Sequence, residues 1–287
     1  MTFLESVLLG VIQGIFMFFP VSSTSHLVLT QHYLVSSGSA LPAPDSGTMI
    51  LFDLVVHVGT LVSIAVVFRK SLAGFLRRLW DDVAGLYDGR PIWPLPLYVK
   101  LAMLGFFSVL VTGLVGIPLE GALVGVFSKP WMIGVTLTIT GALLYWTDRI
   151  GPRPRGLRDI TVLVALVIGL AQALALMPGL SRSGLTIAFA LFIGLKRRWA
   201  AEYSFFIAFP TIAGATFYQI LWLARNEEPL AIGLTPLAVG FVVAALVGIV
   251  ALKLVLELLY RAKFRFFSYY VWSLAAIVFF LSARGTL

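Results

Sequence analysis

Two short polar runs interrupt long apolar segments, and they hold most of the side chains that could do chemistry. They are Pro20-Val21-Ser22-Ser23-Thr24-Ser25-His26 and Pro178-Gly179-Leu180-Ser181-Arg182-Ser183-Gly184. Each run follows a Gly-x-x-Gln sequence, and each has a serine three residues after its proline. Backbone breaks, hydroxyls and charges are costly in the apolar interior of a membrane. Two such breaks at corresponding positions predict a site where two repeats of a membrane protein meet.

The residue types in both runs are suited to binding an anion. Helices that begin near Ser23 and Ser183 would direct free backbone N–H groups and the positive end of the helix dipole towards the break. Arg182 adds a permanent charge on a planar group that matches phosphate oxygens. Ser22, Thr24 and Ser181 supply further hydroxyl groups. A ligand that carries phosphate is therefore the natural prediction.

Ser23 and His26 are the candidates for acid–base or nucleophilic chemistry. They lie three residues apart, so they share one face of a helix. His26 could orient the Ser23 hydroxyl, accept its proton or protonate a leaving oxygen. A structural hydrogen-bonding role for His26 is the alternative.

For other polar residues a structural role is as good an explanation as a functional one. Thr24 and Thr186 could simply allow close helix packing. Asp53 and His57 are spaced i,i+4 in an apolar segment, and they could be a local pair or part of the site. A buried arginine is harder to explain structurally, because an ionisable residue inside a membrane is costly unless it has a function.

Composition identifies a membrane protein. Of the 287 residues, 60% are hydrophobic and 12% are charged, whereas soluble domains average about 25% charged residues. The absence of cysteine excludes disulfides, thiolate metal sites and a cysteine nucleophile. The net charge of +8 comes mainly from short loops between apolar segments, which is typical of membrane orientation signals and argues against a nucleic-acid partner.

The apolar pattern predicts an all-α, polytopic helical bundle that forms a single membrane domain over 1–287. Two segments, 2–35 and 160–195, are predicted to be re-entrant hairpins of broken helices, although 2–35 could also be one kinked spanning helix. Six full spans are expected at 50–68, 98–117, 131–147, 203–223, 234–256 and 267–283.

The basic residues predict the orientation of these elements. Sixteen of the 21 Lys and Arg residues lie in 69–100, 148–159, 196–198 and 257–266. These four segments fall on one side of the membrane, the cytoplasmic side, only if the hairpin 160–195 is re-entrant. With the first hairpin also re-entrant, 1–117 and 160–283 become two repeats of inverted topology.

The motifs resemble those of the undecaprenyl-diphosphate phosphatase family, the bacitracin-resistance type. The first signature is Gly-x-x-Gln-Gly-x-x-x-x-Phe-Pro-Val-Ser-Ser-Thr-x-His-Leu at 10–27, and the second runs from Gln172 through Pro-Gly-x-Ser-Arg-Ser-Gly-x-Thr to Ile187. The run from Phe52 to Thr60 and the run from Ala201 to Phe205 also fit, so the resemblance covers most of the chain.

This resemblance implies a hydrolase of the C55 lipid carrier in the bacterial cytoplasmic membrane. It would convert the polyprenyl diphosphate to the monophosphate at the outer face, which recycles the carrier for cell-wall synthesis and gives bacitracin resistance. Ser23, His26 and Arg182 would be catalytic. Phosphate-binding residues would be Ser22, Thr24, Gly179, Ser181, Ser183, Gly184 and Thr186. Gln13, Asp53 and His57 would be accessory residues, and a homodimer is left open.

The first signature departs from the family at two positions. Glutamates associated with a divalent metal, Mg²⁺ or Ca²⁺, usually stand where this chain has Gln13 and Met17, and Ser25 replaces a glycine. A thioether is a poor ligand for a hard cation, so no metal ligand is assigned. The alternatives to a phosphatase are a carrier that flips polyprenyl phosphate without cleaving it and an inactive regulatory homologue.

Overall fold

The computed structural model describes residues 1–284 except 45, 90, 92, 128–129, 226–231 and 262, and it describes 120–127 and 130 by their backbone alone. The described residues form eleven α-helices and one 3₁₀ turn, Leu157–Asp159, without any named strand. The helices are α1 Phe3–Phe16, α2 Ser23–Ser36, α3 Gly47–Val67, α4 Arg69–Tyr87, α5 Leu97–Phe127, α6 Pro130–Arg149, α7 Val162–Leu174, α8 Arg182–Phe192, α9 Arg197–Arg225, α10 Leu234–Tyr260 and α11 Arg265–Ala283.

The prediction of an all-helical, polytopic membrane bundle is confirmed. Among the described residues, α3, α5 as far as Leu119, α9, α10 and α11 are long and apolar enough to cross a membrane. The sixth predicted span is α6, a helix of 20 residues. It packs along α11, where the Trp272 indole donates to the Thr138 carbonyl at 3.1 Å.

The two predicted hairpins consist of short helices. α1 and α2 have 14 residues each, α7 has 13 and α8 has 11. At 1.5 Å per residue these helices are about 17–21 Å long, and a hydrocarbon core is about 30 Å thick. α1 begins with a capping box between Thr2 and Glu5, and it ends before Pro20 because the residue preceding a proline avoids helical geometry.

One expected loop contains a helix that the sequence analysis missed. Segment 69–100 was expected to be a loop because of its charges, but its first part forms α4, which follows α3 after a bend at Phe68. Arg and Lys are good helix formers, so charge alone does not exclude a helix. α4 is held against the start of α5 by Tyr98, whose backbone N–H donates to Asp82 at 2.9 Å and whose hydroxyl accepts from Arg78.

The hairpins pack against helices of the opposite half of the chain. α1 lies on α10, where a Cβ added to Gly10 would be 2.9 Å from the Gly240 carbonyl oxygen. α7 lies on α5, where a Cβ added to Gly169 would be 2.7 Å from the Ser108 carbonyl oxygen. Each contact requires a glycine of a Gly-x-x-Gln sequence. This reciprocal packing favours the two-repeat arrangement, which stays a prediction.

Candidate functional site

The two polar runs meet at Ser22. Its backbone has φ +68°, a conformation that residues other than glycine rarely adopt. Ser22 immediately precedes α2, but its side chain does not cap the helix. Instead the Ser22 Oγ accepts the Gly179 N–H at 3.2 Å and lies 3.0 Å from the Ser25 Oγ. The strained turn therefore directs a hydroxyl across to the second run.

Two threonines of α6 hold the backbone of the second run. The Thr136 hydroxyl donates to the Pro178 carbonyl at 2.5 Å. The Thr140 hydroxyl donates to the Gly179 carbonyl at 2.8 Å and accepts the Ser181 N–H at 3.2 Å. Neither threonine was predicted as a site residue, although their i,i+4 spacing in an apolar span was a usable signal.

Gly179 is required by this close approach. It has φ +89°, and a Cβ at this position would lie 1.9 Å from the Thr136 hydroxyl oxygen. Any side chain at this position would have to displace α6 from the turn. This explains why a glycine follows the proline of the second run.

The serines of the second run have different partners. Ser181 is the N-cap of α8, and its Oγ accepts the Gly184 N–H at 3.2 Å. Ser183 lies in the first turn, and its hydroxyl donates to the Phe18 carbonyl of the first hairpin at 3.4 Å. Both predicted residues are therefore beside the contact between the hairpins.

Arg182 is the first residue of α8, and its guanidinium has no partner in the described part of the chain. The terminal nitrogens Nη1 and Nη2 are both buried without a hydrogen bond, and the three ion pairs found there involve other arginines. A buried cation without a partner is costly. Its free donors are therefore available to an anionic ligand.

His26 is held by two contacts, and neither is to Ser23. The Nδ1 atom lies 2.7 Å from the Ser22 carbonyl oxygen, so Nδ1 carries the proton and donates. The Nε2 atom lies 2.8 Å from the Tyr270 hydroxyl of α11 and can accept from it. The ring also stacks on Phe16 with 3.8 Å between centroids. Tyr270 was missed because it is 244 residues away in the chain.

Ser23 has only a weak polar contact in the described residues. Its Oγ lies 3.8 Å from the Met17 thioether sulfur, so the expected Ser23–His26 hydrogen bond is not formed in this structure. Thr24 follows on α2 and is half-buried. The Ser23 hydroxyl is consequently free to turn towards a ligand.

Thr186 lies one turn beyond Arg182 on α8 and is fully buried. Its hydroxyl lies 2.8 Å from the Arg182 carbonyl and 2.5 Å from the Ser204 Oγ of α9. These contacts favour the structural alternative of helix packing for Thr186.

Gln13 and Met17 do not fit a divalent metal. The Gln13 Nε2 donates to the Met17 sulfur at 3.5 Å, and the Gln13 Oε1 is buried without a partner. This pair supplies one neutral oxygen and a soft thioether where a hard cation needs several oxygen ligands, including carboxylates. No group of three or more His, Asp or Glu side chains was found among the described residues.

Asp53 and His57 are joined through the backbone of α3. The His57 Nδ1 donates to the Asp53 carbonyl at 2.6 Å, whereas the Asp53 carboxylate accepts from Gln31 of α2 at 2.9 Å. The role of this pair in the reaction stays a prediction.

The fold and these contacts define a polytopic membrane protein in which two broken hairpins meet beside a buried arginine whose terminal nitrogens have no partner in the described residues. The family model described as "Bacitracin resistance protein BacA" matches residues 6–277. The chain belongs to this family.

Curated relatives are similar to this chain over nearly its whole length. A protein of Alkalilimnicola ehrlichii named undecaprenyl-diphosphatase is 59% identical over 274 residues, which is 94% of this chain and 93% of the relative. One of Halorhodospira halophila with the same name is 56% identical over 273 residues, 95% of each chain. A third, of Carboxydothermus hydrogenoformans, is 35% identical over 282 residues, 98% of each chain.

Proposed function

We infer that this chain is an undecaprenyl-diphosphatase, a membrane hydrolase that converts undecaprenyl diphosphate to the monophosphate and inorganic phosphate. Relatives that are 56–59% identical over nearly the full length bear this name. The observation that carries the assignment to this chain is the Arg182 guanidinium, whose two terminal nitrogens are buried without a protein partner at the start of α8. Recycling of the lipid carrier and bacitracin resistance follow from this activity.

We assign phosphate binding to Arg182 and to the N-termini of α2 and α8. A planar guanidinium donates two parallel hydrogen bonds to phosphate oxygens, and the free N–H groups of helix ends favour an anion. These donors would stabilise the charge that develops on the equatorial oxygens during phosphoryl transfer. The hydroxyls of Ser22 and Ser183 cross between the hairpins and keep the two helix ends together.

Ser23 is the nucleophile in this proposal. Its oxygen attacks the terminal phosphorus, the bond from that phosphorus to the bridging oxygen breaks, and the lipid monophosphate leaves with the electron pair. The serine proton passes to His26 Nε2, which must first give up its contact with the Tyr270 hydroxyl. Water then hydrolyses the phosphoserine and releases inorganic phosphate. No step is routed through a metal, because Gln13 and Met17 do not fit one.

The proposal places the protein in the bacterial cytoplasmic membrane, with the site open towards the outer face. The distribution of basic residues among the loops supports the orientation of the helices, and the opening of the site towards the outer face is what the family resemblance implies.

Release of phosphate from a polyprenyl diphosphate in detergent micelles tests the function. The unmodified protein should release phosphate, and Ser23→Ala or Arg182→Gln should reduce release by about 10³-fold or more, as expected when a group acts mainly in the transition state. Ser36→Ala is the matched control, because Ser36 is exposed at the other end of α2 and bonds only to the Tyr33 carbonyl. Retained binding of polyprenyl phosphate without release under any divalent ion would contradict the proposal and favour a carrier.

A further inference from the structure

A cavity lies at the end of the molecule that carries the basic loops. It has a volume of about 640 Å³ and is enclosed by α4, the beginning of α5 and the first half of α9. This volume lies within the range of about 300–1,000 Å³ that is usual for ligand sites. The interior is apolar and lined by Ile64, Phe68, Leu101, Phe205, Phe206 and Phe209. The residues at its mouth are polar, so the cavity is suited to an amphiphile.

Two positive charges at the mouth are not neutralised by an acid in the described residues. Arg198 is paired with Glu202 at 2.8 Å. Arg78 donates to the neutral hydroxyl of Tyr98, its guanidinium carbon lies 5.4 Å from the centroid of the Tyr98 ring, and it forms no ion pair in the described residues. Lys70 is exposed without an ion pair in the same part of the chain. The cavity mouth therefore favours an anion.

The position of these two cations leaves room for a headgroup. Lys70, Gly74 and Arg78 follow each other at i, i+4 and i+8, so they lie along one side of α4. All three line the cavity, and a Cβ added to Gly74 would meet no atom within 4 Å. The space between the two charges is open.

The depth of the cavity corresponds to one leaflet of a bilayer. The lining residues of α9 extend from Arg198 to beyond Phe209. Phe209 is eleven residues after Arg198, and at a rise of 1.5 Å per residue this part of the helix is about 17 Å long. A hydrocarbon core is about 30 Å thick, so this length is about half of it. Trp199 and Tyr98 at the mouth are residue types that favour the membrane–water interface.

The inner end of the cavity is closed towards the candidate active site. Phe205 packs against Phe68 and against Phe18, with ring centroids 5.9 and 6.2 Å apart. Phe18 follows α1 in the first hairpin, so this aromatic contact separates the cavity from the polar runs.

We propose that this cavity binds an anionic phospholipid of the leaflet that faces the basic loops. The phosphate lies between Lys70 and Arg78, and one acyl chain extends over Phe206 and Phe209. Basic pockets between membrane helices at the cytoplasmic surface recognise anionic headgroups in this way. The inference does not depend on the phosphatase activity, because no residue of that site contributes to it.

Fluorescence quenching by brominated lipids tests this proposal on the full chain in phosphatidylcholine vesicles. The difference in quenching between the unmodified protein and Trp199→Phe isolates the tryptophan in the cavity. Brominated phosphatidylglycerol should associate more strongly than brominated phosphatidylcholine, by about five-fold for each charge and about 25-fold for both. Lys70→Gln with Arg78→Gln should abolish this preference. The control is Arg69→Gln with Arg77→Gln, which removes the same charge from α4 outside the cavity and should preserve it.

Other outcomes would overturn the assignment. Equal quenching by both lipids would indicate ordinary boundary lipid, and equal loss in both double variants would indicate diffuse surface charge. Displacement by polyprenyl monophosphate at a low mole fraction would assign the cavity to the reaction product instead. Gly74→Leu should fill the open space and reduce quenching by either lipid, while an unchanged apparent Tm shows that this variant is folded.

Discussion

Replacement of Arg182 by methionine is expected to stabilise the protein and abolish its activity. Nη1 and Nη2 are buried without a hydrogen bond, and an unsatisfied buried polar group costs about 1–3 kcal/mol, more when charged. Methionine keeps an unbranched apolar stem that fills irregular space. The ligand-free variant should therefore gain at least about 1–3 kcal/mol in free energy of unfolding, or roughly 2 °C in apparent Tm for each kcal/mol. Phosphate release should be lost, because the proposed function assigns the binding of the substrate phosphate to the same nitrogens.

Thermal unfolding and phosphate release are measured on the same purified samples in detergent without added phosphate. Addition of inorganic pyrophosphate at about 100 times its Kd should stabilise the unmodified protein by about 2.7 kcal/mol and leave the variant unchanged. Arg197→Met is the control, since Arg197 contacts Asp148 at 3.4 Å and the Thr147 carbonyl at 3.0 Å, and its loss should lower the apparent Tm. A lower Tm for Arg182→Met, or retained release, would refute the reasoning, because the guanidinium would then have partners within the protein.

Three further substitutions test the supporting contacts. Gly179→Ala should destabilise the protein by roughly 2–5 kcal/mol in denaturation experiments, because the residue has φ +89° and a new Cβ would lie 1.9 Å from a threonine oxygen. Tyr270→Phe removes the hydroxyl that the His26 Nε2 atom must release before it accepts the serine proton, so kcat should rise by up to about five-fold, the worth of one hydrogen bond of about 1 kcal/mol, with little change in KM. Gln13→Glu with Met17→Glu should make phosphate release depend on Mg²⁺ or Ca²⁺, and a metal titration without any response would contradict the explanation given for this pair.

The polar breaks could be predicted from the sequence because their causes are local. A proline next to hydroxyl residues ends an apolar helix wherever it occurs, so the starts of α2 at Ser23 and of α8 at Arg182 agree with the expected positions to within two residues. The charged residues of 69–87 are also a local signal. However, such residues occur on the exposed face of an amphipathic helix as readily as in a loop. That ambiguity explains why α4 was missed.

The partners within the site could not be predicted, because they come from distant parts of the chain. Tyr270 is 244 residues from His26, and Thr140 is 39 residues from Gly179. The expected pairing of Ser23 with His26 followed from helical spacing alone. In the structure the positive φ of Ser22 brings its own carbonyl to within 2.7 Å of the histidine ring, and that local strain has no sequence signal.

The contacts between the hairpins explain how an unpaired cation can persist before a ligand binds. The Ser22 Oγ accepts from Gly179, and Ser183 donates to the Phe18 carbonyl, so each hairpin satisfies a backbone group of the other. Neither half of the chain could form these bonds alone, and each hairpin is held in place by a helix of the opposite half. The energetic cost of leaving Arg182 unpaired is thus offset by packing elsewhere, as expected for a functional site. In the proposed function the donors are fixed before the phosphate arrives, so binding would need little reorganisation, and such preorganisation is the main source of electrostatic stabilisation in enzyme sites.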